Sequence, residues 1–124
     1  MNVLEKLISK YAEPPMKAVF NPEGEAMEVS IRKITMRDQE EIEAKLNKEF
    51  PDKADTEKRN KMFGVEIFRY SLLDEDGTRA IKSDKDLQKF KDALGVKVAT
   101  ELIVFVTGKS MGFDETPAGD EKKD

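Results

Sequence analysis

The chain changes from a strand pattern to a helix pattern within Met27-Glu28-Val29-Ser30-Ile31-Arg32-Lys33-Ile34-Thr35-Met36-Arg37-Asp38. In the first half, Met27, Val29 and Ile31 alternate with polar residues, which is the pattern of a half-buried antiparallel strand. In the second half, Thr35 and Asp38 form a capping box, in which each side chain accepts a free backbone N–H of the other residue. The segment therefore predicts a strand that leads directly into a helix.

A partner for this strand is predicted just before it. The first strand runs from Met16 to Phe20, and the turn that follows contains Pro22 and Gly24, two residues that favour turn geometry. Because both strands alternate and the connection is short, the sequence predicts an antiparallel hairpin over residues 16–34.

Residues 1–12 predict a short amphipathic helix. Its apolar side chains fall on one face at helical spacing: Val3, Leu4, Leu7, Ile8 and Tyr11. The helix ends before Pro14-Pro15, because proline disfavours helical geometry in the residue that precedes it. Two interpretations of the apolar face stay open. We favour packing on the core, and the alternative is docking on a partner protein or on a second copy of the chain.

Residues 35–110 are predicted to be helical. The first helix carries only Ile42 and Leu46 as a thin apolar stripe, which is typical of a helix on the surface. The second, over residues 54–73, becomes apolar around most of its circumference from Met62 onward. It is therefore the predicted central element of the core.

Two further helices are predicted after a turn. The third begins with a capping box at Ser83 and ends at Gly95, and the fourth ends at Gly108. Residues 65–73 and 98–106 are rich in β-branched and aromatic side chains, so helix and strand both stay open for these two segments.

The predicted fold class is therefore α+β, mainly α, with an N-terminal β-hairpin followed by about four helices. Residues 1–113 are expected to form a single domain. Residues 114–124 contain a single apolar side chain, that of Ala118, which predicts a disordered acidic tail.

The composition argues against most enzyme chemistry. The chain has no histidine and no cysteine, which excludes Ser-His-Asp and Cys-His catalysis and His- or thiolate-ligated metals. We therefore expect no enzyme activity and no cofactor; an enzyme that uses carboxylates or a metal held by oxygen atoms is the least favoured hypothesis. The net charge is −4, and Lys and Arg are scattered, so neither nucleic acid nor a membrane is an expected partner.

Two short motifs resemble ligand sites but lack essential positions. An EF-hand with Gly77 at its sixth position would begin at Leu72 and end at Ser83, and neither residue is an acidic ligand. A phosphate-binding loop that ends at Gly108-Lys109-Ser110 would need glycine at Ile103. We interpret the first motif as a solvated turn and the second as a helix terminus.

The order of these elements resembles the tail assembly chaperones of long-tailed (siphovirus-type) bacteriophages. The resemblance covers roughly residues 25–110. It rests on the hairpin, on the helix that begins at Ile34-Thr35-Met36-Arg37-Asp38, on Leu72-Leu73-Asp74-Glu75-Asp76-Gly77, and on two closing helices.

The resemblance implies a non-enzymatic chaperone that binds the tape-measure protein, keeps it soluble and recruits tail-tube subunits. It further implies a homo-oligomer that acts in the host cytoplasm and is not retained in the mature virion. The alternative is a small cytoplasmic adaptor or regulatory protein that binds a single protein partner.

The candidate residues for partner binding or self-association are apolar side chains outside the predicted central helix. They are Val3, Leu4, Leu7, Ile8, Tyr11, Met16, Met27 and Met36. Methionine suits such a surface because its flexible thioether adapts to partners of different shape.

Overall fold

The computed structural model describes residues 2–112, which form three strands and five α-helices. The elements are, in chain order, α1 Val3–Tyr11, β1 Met16–Phe20, β2 Met27–Ile31, α2 Met36–Glu49, α3 Thr56–Ser71, β3 Leu72–Leu73, α4 Asp84–Ala93 and α5 Val96–Met111. A short 3-10 helix, Lys53–Asp55, precedes α3. The predicted α+β, mainly α class is confirmed. The predicted disordered tail, residues 114–124, lies outside the described residues.

The predicted hairpin is present and gains a third strand. The three strands are antiparallel in the order β1-β2-β3, with Ala18 opposite Val29 and Ile31 opposite Leu72. Val29 and Ile31 are buried as their alternation predicts. Met27, predicted on the same face, is instead 64% exposed, because it lies at the end of the strand beside the turn.

The core consists of two clusters that share α3. The first joins the sheet to α3, α4 and α5, and its buried members are Phe20, Val29, Ile31, Phe68, Ile81, Leu87 and Val106. The second lies between α2 and α3, and its buried members are Ile42, Leu46 and Ile67. Because the adjacent residues Ile67 and Phe68 belong to different clusters, α3 is the central core element that its apolar circumference predicts.

The structure resolves the two segments that could have been helix or strand. Residues 98–106 lie entirely within α5. Residues 65–71 are helical, but the predicted helix over 54–73 stops at Ser71, and Leu72–Leu73 forms β3. The predicted third helix is present, with Ser83 as its N-cap and its end just before Gly95, but Gly95 has extended geometry and is also the N-cap of α5.

The C-terminal helix is longer than its sequence predicts. Gly108 lies inside α5, which continues to Met111 and ends at Gly112, where the backbone takes a φ of 79°. Such a positive φ is the left-handed conformation that glycine adopts readily at the end of a helix. The presence of a glycine at position 108 therefore did not identify the end of α5, because glycine can also adopt the helical conformation inside a helix.

The capping boxes differ in how completely they form. Thr35 and Asp38 bond reciprocally, with N–H to oxygen contacts of 2.9 and 3.1 Å, as predicted. Ser83 accepts the N–H of Asp86 at 3.1 Å, but the Asp86 carboxylate accepts the N–H of Lys82 instead of that of Ser83.

Candidate protein-binding surfaces

The first candidate surface is the apolar face of α1. None of the residues of this helix is buried, and its five apolar side chains are between 50% and 72% exposed. The favoured interpretation of this face, packing on the core, is therefore wrong. The reason lies in the connection, since Ala12 is extended and Pro14-Pro15 cannot continue a helix or fold back tightly.

Local contacts hold α1 as a helix without the core. Asn2 and Glu5 form a capping box, with backbone-to-side-chain distances of 3.1 and 2.8 Å. A helix of only nine residues is marginal in isolation even when it is well capped. An exposed, capped helix with one continuous apolar face is therefore stabilised most by a partner that covers that face.

The second candidate surface is an open apolar groove of about 1070 Å³ between α3 and α5, beside the end of β1. We call it the α3–α5 groove. From α3 it is lined by Asn60, Phe63, Gly64 and Ile67, and from α5 by Thr100, Glu101, Val104, Phe105, Thr107, Gly108 and Met111. Most members of both sets recur at spacings of three and four residues, so each helix presents one face to the groove.

Two glycines, one on each helix, keep the floor of the α3–α5 groove free of side chains. A Cβ atom added to Gly64 would meet no heavy atom within 4 Å, and Gly108 lines the groove from the opposite helix. A glycine inside a helix costs about 1 kcal/mol relative to alanine. Gly64 in the middle of a predicted helix was therefore the sequence signal for this site, although the sequence does not show which helix lies opposite.

The predicted methionines do not share a surface. Met16 is half-buried against the first core cluster, whereas Met36, the first residue of α2, is 80% exposed. Met27 lines a smaller cavity of about 360 Å³ together with Val98 and Leu102. None of the three predicted methionines is among the residues that line the α3–α5 groove.

Arg32 joins three elements of the fold, a role that the sequence did not indicate. Its Nε donates to the carbonyl of Tyr70 at 2.9 Å, and its guanidinium lies 2.9 Å from the Asp38 carboxylate. Burial would raise the pKa of Asp38, but hydrogen bonds from Arg32 and Thr35 outweigh that effect and hold the pKa below its ordinary value. Arg32 thus ties the end of β2 to the start of α2 and the end of α3.

Two buried serines hold the end of α5 against α3. The Ser71 hydroxyl donates to Ser110 Oγ at 2.7 Å, and Ser110 Oγ donates to the carbonyl of Arg32 at 2.9 Å. Both serines are almost completely buried. The structure therefore supports the interpretation of Ser110 as part of a helix terminus and not of a phosphate-binding loop.

A buried carboxylate on α3 is neutralised by surrounding cations. Glu66 lies 3.1 Å from Lys45 Nζ and 3.3 Å from the guanidinium of Arg69, which also bonds to Asp84 at 2.8 Å. This network of ion pairs connects α2, α3 and α4 through Lys45, Glu66, Arg69 and Asp84.

Within residues 2–112, no group of three or more acidic side chains has the arrangement of a metal site. The helices of the same region are too short or too polar to cross a membrane. Comparison with protein-family models, with curated proteins and with solved structures finds no match to the chain.

Proposed function

We propose that the protein is a non-enzymatic tail assembly chaperone that binds helical segments of the tape-measure protein in the α3–α5 groove. The observation that carries the proposal is the groove itself, with two helical stripes, a glycine floor and predominantly apolar lining. An amphipathic helix laid into an apolar groove is a common mode of peptide recognition. The resemblance in element order supplies the identity of the client, which is the protein that the chaperone binds.

The charge distribution supports binding of an apolar client in solution. Glu101 is the charged residue among those that line the groove, whereas the chain as a whole carries 22 basic and 26 acidic residues. The groove lining is therefore much poorer in charged residues than the chain as a whole. Binding there buries apolar surface while the outer faces stay hydrated, which keeps the complex dissolved.

The test is co-expression with the tape-measure protein encoded in the same genome, scored as the soluble fraction of that protein. Val104→Glu places a charge in the groove, at a position that is 64% exposed and therefore tolerant of substitution. Val96→Glu makes the same change in the same helix, at an 84% exposed position that does not line the groove. We expect the wild type and Val96→Glu to raise the soluble fraction and Val104→Glu to fail.

Three results would contradict the proposal: a genome without a tape-measure gene, an unchanged soluble fraction, or equal effects of the two valine variants. A stable complex with one other folded protein, without any effect on tape-measure solubility, would support the adaptor function instead.

A further inference from the structure

Residues 2–112 carry two exposed apolar surfaces, one convex and one concave. α1 presents a convex stripe of five exposed apolar side chains, and the α3–α5 groove presents a concave apolar seat. We propose that α1 of a second copy of the chain docks in this groove, so that each copy covers the client-binding surface of another until a client displaces it. The displacement step rests on the proposed function, whereas the docking step does not.

The dimensions of the two surfaces agree. The nine residues of α1 span about 13 Å, and the α5 stripe from Thr100 to Met111 spans about 16 Å at 1.5 Å per residue. A helix that docks between α3 and α5 would place its apolar face against the apolar faces of both helices, at the interaxial distance of packed helices. Gly64 and Gly108 allow a close approach because neither projects a side chain into the seat.

The charges beside the two surfaces also agree. α1 carries two lysines, Lys6 and Lys10, and one glutamate, Glu5. The charge within the groove lining is that of Glu101. A weakly basic helix is therefore a better occupant of this seat than an acidic one.

The connection favours a second copy over the groove of the same chain. Only Ala12 to Pro15 separate α1 from β1, and the two prolines restrict both themselves and the residues before them. Glu13 also pairs with Lys33 at 3.7 Å, a contact between the connection and the residues that follow β2. α1 thus projects from the body of its own chain with its apolar face uncovered.

The experiment uses full-length chains with one surface disabled in each. Leu7→Glu disables α1 and leaves the groove intact, while Val104→Glu disables the groove and leaves α1 intact. Ser9→Glu and Val96→Glu are the matched controls, since both positions are exposed and lie outside the two surfaces. Association is measured by sedimentation velocity over a wide range of concentrations.

We expect the wild type and both controls to associate and each disabling variant to associate at least ~30-fold more weakly, as for a central interface residue. We further expect an equimolar mixture of Leu7→Glu and Val104→Glu to form a heterodimer, because the mixture restores one intact α1 and one intact groove. This rescue is specific to a contact between the two different surfaces.

Three outcomes would overturn the docking step. A wild-type chain that stays monomeric at every concentration refutes it, and this includes the case in which α1 folds into its own groove. Association of Val104→Glu alone would show that α1 pairs with α1. Two non-associating variants whose mixture also fails to associate would show that neither surface binds the other.

The failure of docking can be told apart from the failure of the proposed function. Leu7→Glu retains the groove, so its effect on the soluble fraction of the tape-measure protein reports client binding without self-association. If docking and client binding share the groove, Leu7→Glu should solubilise the client at a lower concentration than the wild type. Loss of client binding by Leu7→Glu would show that α1, and not the groove, contacts the client.

Discussion

Replacing Arg32 with methionine should destabilise the protein markedly although the side chain is partly exposed. The side chain joins three elements, because it bonds to the carbonyl of Tyr70 and to the carboxylate of Asp38, each at 2.9 Å. Arg32→Met keeps the length of the aliphatic stem but removes every donor. It leaves the Asp38 carboxylate, which is nearly buried, without its cation.

The size of the effect follows from the two bonds. A hydrogen bond that involves a charged group contributes about 1.5–3 kcal/mol, and the two contributions are not additive. The Arg32 side chain is 28% exposed, so water can partly replace what is lost. We therefore expect the free energy of unfolding to fall by about 2–4 kcal/mol, out of the roughly 5–15 kcal/mol typical of a small domain.

The difference between the wild type and Arg32→Met should depend on pH. The pKa of Asp38 is depressed in the folded state, so its stabilising effect is complete above the unfolded pKa of about 4 and is lost as the pH falls through the folded pKa. Without Arg32, only the hydrogen bonds from Thr35 oppose the effect of burial, so the pKa of Asp38 in the folded variant is higher than in the wild type and the variant loses less stability as the pH falls. Below about pH 4 the two curves should approach each other, because Asp38 then becomes neutral in both proteins.

Urea unfolding followed by far-UV circular dichroism measures this difference, since the chain contains no tryptophan. The matched control is Lys17→Met, which removes an exposed ion pair with Glu28 at 3.8 Å and should change stability by no more than about 0.5 kcal/mol. An Arg32→Met effect as small as that of the control, or one that is constant from pH 7 to pH 3, would refute the reasoning.

Three further substitutions can be measured by the same urea unfolding. Phe68→Ala should lower the free energy of unfolding by about 3–5 kcal/mol, because this fully buried ring packs on Phe90 with centroids 5.2 Å apart. Gly64→Ala should raise it by about 0.5–1 kcal/mol, since the new methyl group meets open space inside a helix; a loss would show that the groove is closed in solution. Gly77→Ala should lower it by about 1–2 kcal/mol, because this residue has a φ of +86°, and an unchanged value would mean that the turn adopts another conformation.

Features that depend on a few neighbouring residues were predictable from the sequence. The capping box of Thr35 and Asp38 forms within four residues, so the start of α2 could be read directly. The turn before β2 and the helical spacing of Ile42 and Leu46 are equally local and are present as predicted. In each case the residues that determine the structure are also the residues that form it.

Features that depend on distant partners were not predictable in the same way. Leu72 leaves the helical conformation because β2 offers a strand edge opposite Ile31, and nothing in residues 65–73 reveals that edge. The role of Ser110 likewise depends on Arg32, 78 residues earlier. Such contacts are set by the packing of the whole chain, against which local propensity is a weak guide.

The candidate site shows the same limit more sharply. The amphipathic pattern of α1 identified its five apolar residues correctly. It could not show whether they pack on the core or stay exposed, because both arrangements have the same pattern. The α3–α5 groove combines lining residues that are at least 33 positions apart in the chain, the difference between Ile67 and Thr100, and glycine marks it on both helices, as Gly64 and Gly108. A surface of this kind becomes visible only when the two helices are placed side by side.

The symmetry of the proposed α1-to-groove contact determines the assembly that it builds. Each chain offers one α1 and one groove, so the contact joins two different surfaces and continues from copy to copy unless it closes on itself. A continuing assembly suits a long helical client, because successive copies can exchange their α1 contacts for successive client helices. We therefore expect the mass of the wild-type assembly to rise steadily with concentration, whereas the mixture of Leu7→Glu and Val104→Glu stops at two chains. A wild-type assembly that also stops at two chains would show that the helices are exchanged reciprocally, and the continuing arrangement would then be wrong.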